Sequence, residues 1–164
     1  MPGLKHIIVV FLVLFSCVGC DQTTKAAARK YLPRNEILSF AGDTLRLQYA
    51  ENKGAFLGMG SALPEKTRGF LFTAGVGAFI FAALCYLLVS PLPRGTAVAL
   101  SLICGGGCGN LIDRIAYGGC VVDSLKVGVG GLRTRIFNIA DEAIMAGALL
   151  MVLHSVKREK TMNA

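Results

Sequence analysis

Long stretches without a charged residue dominate this chain and restrict it to a membrane-spanning fold. Four of them contain only uncharged residues: Ile7–Cys20, Gly69–Pro93, Gly95–Ile112 and Ala143–Val156. The chain is 54% hydrophobic and only 16% charged, whereas soluble domains carry roughly 25% charged residues. We therefore predict an all-α membrane protein with four transmembrane helices, forming a single integral membrane domain over residues 1–164.

A helix crosses the bilayer core with about 20 residues, so the shorter stretches must recruit flanking residues from the headgroup layer. The predicted spans cover about residues 4–22, 69–91, 95–112 and 138–156. An even number of spans puts both termini on one side, and Lys5 and Arg94 lie in the short flanks there, which favours the cytoplasm. The longer connections, at about residues 36–60 and 113–137, are then extracytoplasmic.

The first apolar stretch has a second interpretation. Lys5, an apolar run and the segment Cys17–Cys20 are also typical of a lipoprotein signal sequence, with Cys20 as the anchored terminus. Three further apolar segments argue against this interpretation, because a lipid-anchored protein needs no additional spans. We expect the stretch to be the first span.

The first long connection predicts a small extracytoplasmic β-hairpin or sheet element. Residues Thr44 to Tyr49 alternate polar and apolar, and a turn signal at Ala41 to Asp43 separates them from Ile37 to Phe40. The second connection contains the glycine-rich run Val127 to Gly131, which is expected not to hold regular structure strongly. A mobile flap is therefore expected over residues 124–136.

Five polar motifs converge on the extracytoplasmic end of the predicted bundle. They are Asp21-Gln-Thr-Thr-Lys25, Asn52-Lys-Gly-Ala-Phe56, Gly109-Asn-Leu-Ile-Asp-Arg114, Val121-Val-Asp123 and Phe137-Asn-Ile-Ala-Asp141. A charged side chain at the centre of a transmembrane helix costs about 2.5–3.5 kcal/mol, so acids in such segments are candidate functional residues. Their convergence predicts an active site or binding pocket.

Each motif taken alone also has a structural interpretation. Asp21 and Lys25 can form an i, i+4 ion pair at a helix end. Asp113 and Arg114 can neutralise each other at another helix end. Asn138 can cap a helix amino terminus.

Two carboxylates, Asp123 and Asp141, suit peptide hydrolysis. One accepts a proton from the attacking water while the other donates hydrogen bonds and protonates the leaving amine, and close like charges separate their pKa values. Which aspartate is the base stays open, because the pair titrates as a unit. Asn138 can orient a carboxylate or the substrate, and Arg114 can bind a substrate carbonyl or a lipid phosphate.

Other functions explain fewer of these residues. A zinc hydrolase needs His or Cys ligands near the site, but His6 and His154 lie at the opposite end. A Ser124–Lys126 dyad leaves both aspartates unexplained. The serious alternative is a small four-span transporter or membrane assembly factor that uses the acids to bind protons or cations. The net charge of +7 fits membrane lipids as partners, and no pattern indicates nucleic acid.

Together the five motifs resemble those of the signal peptidase II family, four-span aspartyl peptidases that remove signal peptides from bacterial prolipoproteins. The motifs occur in the family's order across about 120 of the 164 residues. The resemblance implies a catalytic pair, a set of site-lining residues and two supporting residues, with no metal and no cofactor. The catalytic pair is Asp123 and Asp141. The site-lining residues are Asn52, Gly54, Asn110, Arg114 and Asn138, and the supporting residues are Asp21 and Lys25.

The same resemblance implies the substrate and the location. The substrates are expected to be diacylglyceryl-modified prolipoproteins, cleaved before the lipidated Cys by an intramembrane or interfacial aspartyl endopeptidase. The protein is expected in the bacterial inner membrane with cytoplasmic termini, an active site near the periplasmic face, and a monomeric state.

Overall fold

Four long helices make up most of the computed structural model, which describes residues 2–55 and 59–162. They are α1 (Leu4–Tyr31), α2 (Glu65–Val89), α3 (Arg94–Ala116) and α4 (Ile139–Met162). Each is long and apolar enough to cross a membrane. The predicted helical membrane fold is therefore confirmed. Part of the predicted β-element, including Phe56 of the second motif, lies outside the described residues.

The first helix continues well beyond the expected end of its span, to Tyr31. Its last turns carry Asp21, Lys25 and Ala28, which are all buried. These residues face the rest of the bundle, where the two charged side chains find partners. Because its polar residues are paired inside the protein, the helix does not need to end at the first acid.

Helix α3 is the centre of the bundle. In its most apolar 18-residue window 56% of the residues are buried, against 11% to 17% for the other three helices. A Cβ atom at Gly106 would lie 2.3 Å from the carbonyl oxygen of Ala140, and one at Gly105 would lie 2.7 Å from Cys17 Cβ. The glycine-rich run therefore lets α1 and α4 approach the backbone of α3 closely.

A four-stranded antiparallel sheet sits at one end of the helices. Its strands, in spatial order, are β1 (Leu38–Phe40), β2 (Leu45–Asn52), β3 (Val121–Val129) and β4 (Leu132–Arg133). The predicted hairpin is β1 and β2, in which Phe40 pairs with Leu45. Strand β2 also pairs with β3, placing Ala50 opposite Asp123. The sheet thereby joins the two long connections.

The expectation of an irregular flap at residues 124–136 is wrong for most of that segment, because β3 runs through to Val129 and turns back into β4. Gly128 permits this pairing, since a Cβ atom there would lie 2.3 Å from the carbonyl oxygen of Leu132. Arg133 then ties the hairpin to the β1–β2 turn, donating to the backbone oxygen of Asp43 (2.7 Å) and to its carboxylate (2.6 Å). Contacts across the sheet override the weak local preference of glycine for strand structure.

Replacing Gly106 by Ala is expected to destabilise the bundle. The new methyl group would collide with the backbone of α4, and overpacking of this kind typically costs about 1–3 kcal/mol. Gly19→Ala is the matched control, because no atom lies within 4 Å of a Cβ placed at this position in α1. The thermal unfolding midpoint in detergent should fall for Gly106→Ala and stay level or rise for Gly19→Ala. Equal midpoints would contradict close packing at Gly106.

Candidate active site

The carboxylate of Asp123 lies on β3 and is held by two amides. Only 3% of the residue is exposed. Asn138 Nδ2 donates to Asp123 Oδ1 (2.6 Å), and Asn52 Nδ2 donates to Asp123 Oδ2 (3.1 Å). Each carboxylate oxygen therefore accepts one hydrogen bond, and together these bonds fix the orientation of the group.

Asp141 lies in the first turn of α4 and is 6% exposed. Asn110 Nδ2 from α3 donates to its Oδ1 atom (2.9 Å). Its backbone N–H donates to Asn138 Oδ1 (2.9 Å), so Asn138 caps the amino terminus of α4 as one structural interpretation proposed. The same Asn138 side chain binds Asp123, and thus one amide connects the two aspartates.

Burial shifts the ionisation of Asp123. It raises the pKa of the Asp123 carboxyl to about 6, and the nearby charge of Asp141 adds to the increase. The amide hydrogen bonds from Asn138 and Asn52 act in the opposite direction, because they favour the ionised carboxylate. The group is therefore close to half-protonated near pH 6.

A buried lysine supports this pair from behind. Lys25 is 1% exposed, and its ammonium lies 2.8 Å from Asp21 Oδ2 and 3.3 Å from Asp113 Oδ2. It also donates to Asn110 Oδ1 (2.9 Å). Asn110 Nδ2 donates to Asp141. By binding the Oδ1 atom of the same amide, Lys25 fixes the orientation in which the Nδ2 group faces Asp141.

The two acids that bind Lys25 also hold the backbone beside each candidate catalytic residue. The N–H of Ala140, next to Asp141, donates to Asp21 Oδ1 (3.0 Å). The N–H of Val122, next to Asp123, donates to Asp113 Oδ2 (2.9 Å). The cluster of Asp21, Lys25 and Asp113 therefore positions the main chain on both sides of the site. We call these three residues the Lys25 cluster.

The proposed neutralisation of Asp113 by Arg114 is wrong. Adjacent residues on a helix point in different directions, and Asp113 instead meets Lys25 and Arg29. Arg114 points to the loop after β2, where its Nη2 donates to the carbonyl oxygen of Gly54 (3.0 Å). Its Nε is buried and has no hydrogen-bond partner among the described residues.

Two further residues of the site, Gln22 and Arg29, were not among the predicted site residues, although Gln22 lies in the first motif. Gln22 Nε2 donates to Asp21 Oδ2 (3.2 Å) and Asp113 Oδ1 (3.2 Å). Arg29 Nη2 lies 3.1 Å from Asp113 Oδ1, and the guanidinium stacks on the ring of Tyr117 at 3.5 Å. The i, i+4 spacing from Lys25 to Arg29 was the available signal, since it puts both cations on one face of α1.

The structure brings all the residues of the predicted site together. Asn52 reaches Asp123 and also accepts a hydrogen bond from the N–H of Gly54 (2.9 Å). A cavity of about 520 Å³ opens beside Asp123 and is bordered by Asn52 and Lys126. A second cavity, of about 600 Å³, is bordered by Arg114. Both cavities border the polar network from the outside.

Four helices of membrane-spanning length thus carry, at one end, two buried carboxylates that amide groups hold in place. The family model described as signal peptidase (SPase) II matches residues 13–157. The chain therefore belongs to the signal peptidase II family.

Individual proteins agree with this assignment. A lipoprotein signal peptidase of Syntrophus aciditrophicus is 32% identical over 161 residues, covering 96% of this chain and 98% of that protein. A lipoprotein signal peptidase of Janthinobacterium sp. is 37% identical over 142 residues, with coverages of 84% and 82%. A bacterial membrane enzyme solved by the in meso method at 2.3 Å resolution is 25% identical, with a TM-score of 0.77 and coverages of 96% and 90%.

Removing the lysine at the centre of the Lys25 cluster is expected to destabilise the protein strongly. Lys25→Met keeps the length of the side chain but leaves the buried Asp21 carboxylate without its cation and Asp113 with Arg29 alone. Breaking a buried ion pair typically costs about 3–5 kcal/mol. Lys30→Met is the control, because Lys30 lies one turn later in α1 and is exposed. Thermal unfolding in detergent measures both. A Lys25→Met midpoint equal to that of Lys30→Met would refute the supporting role.

Proposed function

We propose that Asp123 and Asp141 are the catalytic pair with which this protein removes signal peptides from prolipoproteins. The observation that carries this assignment is that one side chain, Asn138, binds Asp123 and caps the backbone of Asp141. Both carboxylates are buried, and a cavity adjoins Asp123. Two acids held in this way form a site in which water can attack a peptide carbonyl.

In the proposed reaction the pair holds one proton. The ionised carboxylate accepts a proton from water as the water attacks the scissile carbonyl carbon. The protonated carboxyl donates to the carbonyl oxygen, which becomes negative in the transition state. The pair then protonates the leaving amine as the C–N bond breaks. Protons and charges balance, so no cofactor is required.

Amide donors keep the two acids in place during these transfers. Asn52 and Asn138 serve Asp123, and Asn110 serves Asp141. Because Lys25 holds Asn110 Oδ1, the amide donor side of Asn110 always faces Asp141. Such fixed donors lower the cost of reorganisation during reaction.

Arg114 is proposed to bind the substrate. Its Nε is buried and has no hydrogen-bond partner among the described residues. The Arg114 side chain also borders the cavity of about 600 Å³, together with Lys53. A backbone carbonyl of a substrate in this cavity would accept a hydrogen bond from the guanidinium. Gly54 gives its own carbonyl oxygen to Arg114 and so orients the guanidinium.

The finer description of the substrate follows the family resemblance. The substrate is proposed to be a diacylglyceryl-modified prolipoprotein that is cleaved before its lipidated Cys. The site at the end of four apolar helices supports this description, since the acyl chains stay in the membrane while the peptide reaches the polar network. The transporter alternative is not favoured, because the relatives are peptidases.

The location and state of the protein are also proposed here. The chain lies in a bacterial inner membrane with both termini in the cytoplasm and the site near the periplasmic face. Short basic flanks at Lys5, Arg94 and Lys157 support this orientation. We propose that the protein is a monomer surrounded by lipids.

Exchange of either acid for its amide tests the catalytic pair. Asp123→Asn and Asp141→Asn are each expected to lower the turnover of a purified diacylglyceryl prolipoprotein by about 10² to 10⁴-fold, which is the usual contribution of general acid–base catalysis. The double variant should be scarcely slower than either single variant, because the acids act as a unit. Cleavage is followed by the gel shift of the substrate.

Glu142→Gln provides the matched control for this experiment. Glu142 follows Asp141 in the same helical turn but is exposed, so its exchange should leave turnover near the wild-type value. An unlipidated substrate tests the diacylglyceryl requirement separately. Near wild-type turnover by Asp123→Asn or Asp141→Asn would overturn the proposed mechanism.

The pH profile tests the shared proton. As the pH rises through the pKa of Asp123, about 6, the pair loses its proton, and kcat/KM is expected to decline. Asn52→Ala removes a hydrogen bond that favours the carboxylate form, which raises this pKa and shifts the alkaline decline to higher pH. Tyr49→Phe on the same strand, whose hydroxyl donates to Glu51 instead, should leave the profile unchanged. An unshifted decline in Asn52→Ala would contradict the assignment.

A further inference from the structure

A basic cavity lies at the end of the bundle opposite the sheet, away from the proposed active site. Its volume is about 400 Å³, and it opens between the first turns of α1 and α3. Three basic side chains, Lys5, His6 and Arg94, line it. The peptidase mechanism uses none of them.

The ends of all four helices meet around this cavity. His6 Nε2 hydrogen-bonds the carbonyl oxygen of Leu87 near the end of α2 (2.9 Å). A Cβ atom at Gly95 would lie 2.0 Å from His154 Nε2, so the last turns of α4 pack against the start of α3. The lining residues themselves come from α1, from α3 and from the connection before α3.

The charge at this end is almost entirely positive. Nine of the ten acidic residues of the chain lie between Asp21 and Glu142, in the sheet, its connections or the helix ends beside it. The tenth is Glu159, whose side chain lies outside the described part of the structure. Among the described residues, neither Lys5 nor Arg94 has an ion-pair partner. Two exposed cations thus line the cavity with no counterion in the part of the chain that the structure describes.

The rest of the lining is apolar. Ile8, Val9, Leu92 and Ala97 complete the wall, and Ile8 is 47% exposed. A ligand that fits this surface has an anionic head and hydrocarbon chains. Inorganic phosphate matches the cations alone and leaves the apolar wall unused.

We propose that the cavity lined by Lys5, His6 and Arg94 binds the phosphate headgroup of an anionic glycerophospholipid. The phosphate lies between the Lys5 ammonium and the Arg94 guanidinium, which form charge-assisted hydrogen bonds with its oxygens. The acyl chains run along the apolar face of α1 past Ile8. Basic pockets between transmembrane helices bind anionic headgroups in this way. The site is separate from the proposed peptidase site and does not depend on its mechanism.

Native mass spectrometry of the purified full-length protein tests the site. The protein in detergent is titrated with phosphatidylglycerol, with phosphatidylcholine of the same acyl chains, and with inorganic phosphate as a competitor. One phosphatidylglycerol is expected to bind, with phosphatidylcholine at least about tenfold weaker. Each of Lys5→Gln and Arg94→Gln should weaken phosphatidylglycerol binding about fivefold, the effect of one basic residue at an anionic surface.

Lys30→Gln is the matched control, since Lys30 is an exposed lysine at the other end of the same helix. It should bind phosphatidylglycerol as the wild type does. Because Lys5 and Arg94 are exposed, their variants should keep the wild-type unfolding midpoint, which separates lost binding from lost folding. The proposal is overturned if the double variant Lys5→Gln, Arg94→Gln binds phosphatidylglycerol normally, if Lys30→Gln weakens binding equally, or if phosphate displaces the lipid at equal concentration.

Discussion

The ammonium of Lys25, buried among two carboxylates and an amide oxygen, is the interaction on which the polar end of this protein depends. A lone charge in the interior of a bundle is strongly unfavourable, whereas a charge with several partners at hydrogen-bond distance is tolerated. Asp21, Asp113 and Asn110 supply those partners. Through them one side chain of α1 is connected to α3, to β3 and to the start of α4.

This arrangement requires backbones that approach closely. A Cβ atom at Gly109 would lie 2.4 Å from Asp21 Oδ2, so any larger residue in that turn of α3 would displace the carboxylate. The position of the Asp21 carboxylate therefore depends on the glycine at position 109. Close packing of α3 against α1 lets Asp21 accept the N–H of Ala140, and this contact sets the position of the neighbouring Asp141.

The sequence predicted the four helices, the hairpin and the convergence of the motifs, because these depend on hydrophobic length, alternation and spacing along the chain. It did not predict the partner of Asp113 or the strand that contains Gly128. Both depend on contacts between distant segments: Asp113 meets α1 residues Lys25 and Arg29, and β3 is stabilised by Arg133 binding Asp43. Local patterns of hydrophobicity and spacing do not predict contacts between segments that are far apart in the sequence.

The hydrogen bonds of the site also explain why two acids can stay buried at the end of an apolar bundle. Each oxygen of Asp123 accepts from an amide, which partly offsets the cost of burial, yet the pKa of the group remains raised to about 6. Stronger donors, such as a lysine in direct contact, would stabilise the carboxylate further and remove the proton that the proposed reaction needs. The lysine instead binds Asn110. An uncharged amide thus lies between the stabilising cation and Asp141, so the cluster supports the fold while neither acid of the pair has a direct ion-pair partner among the described residues.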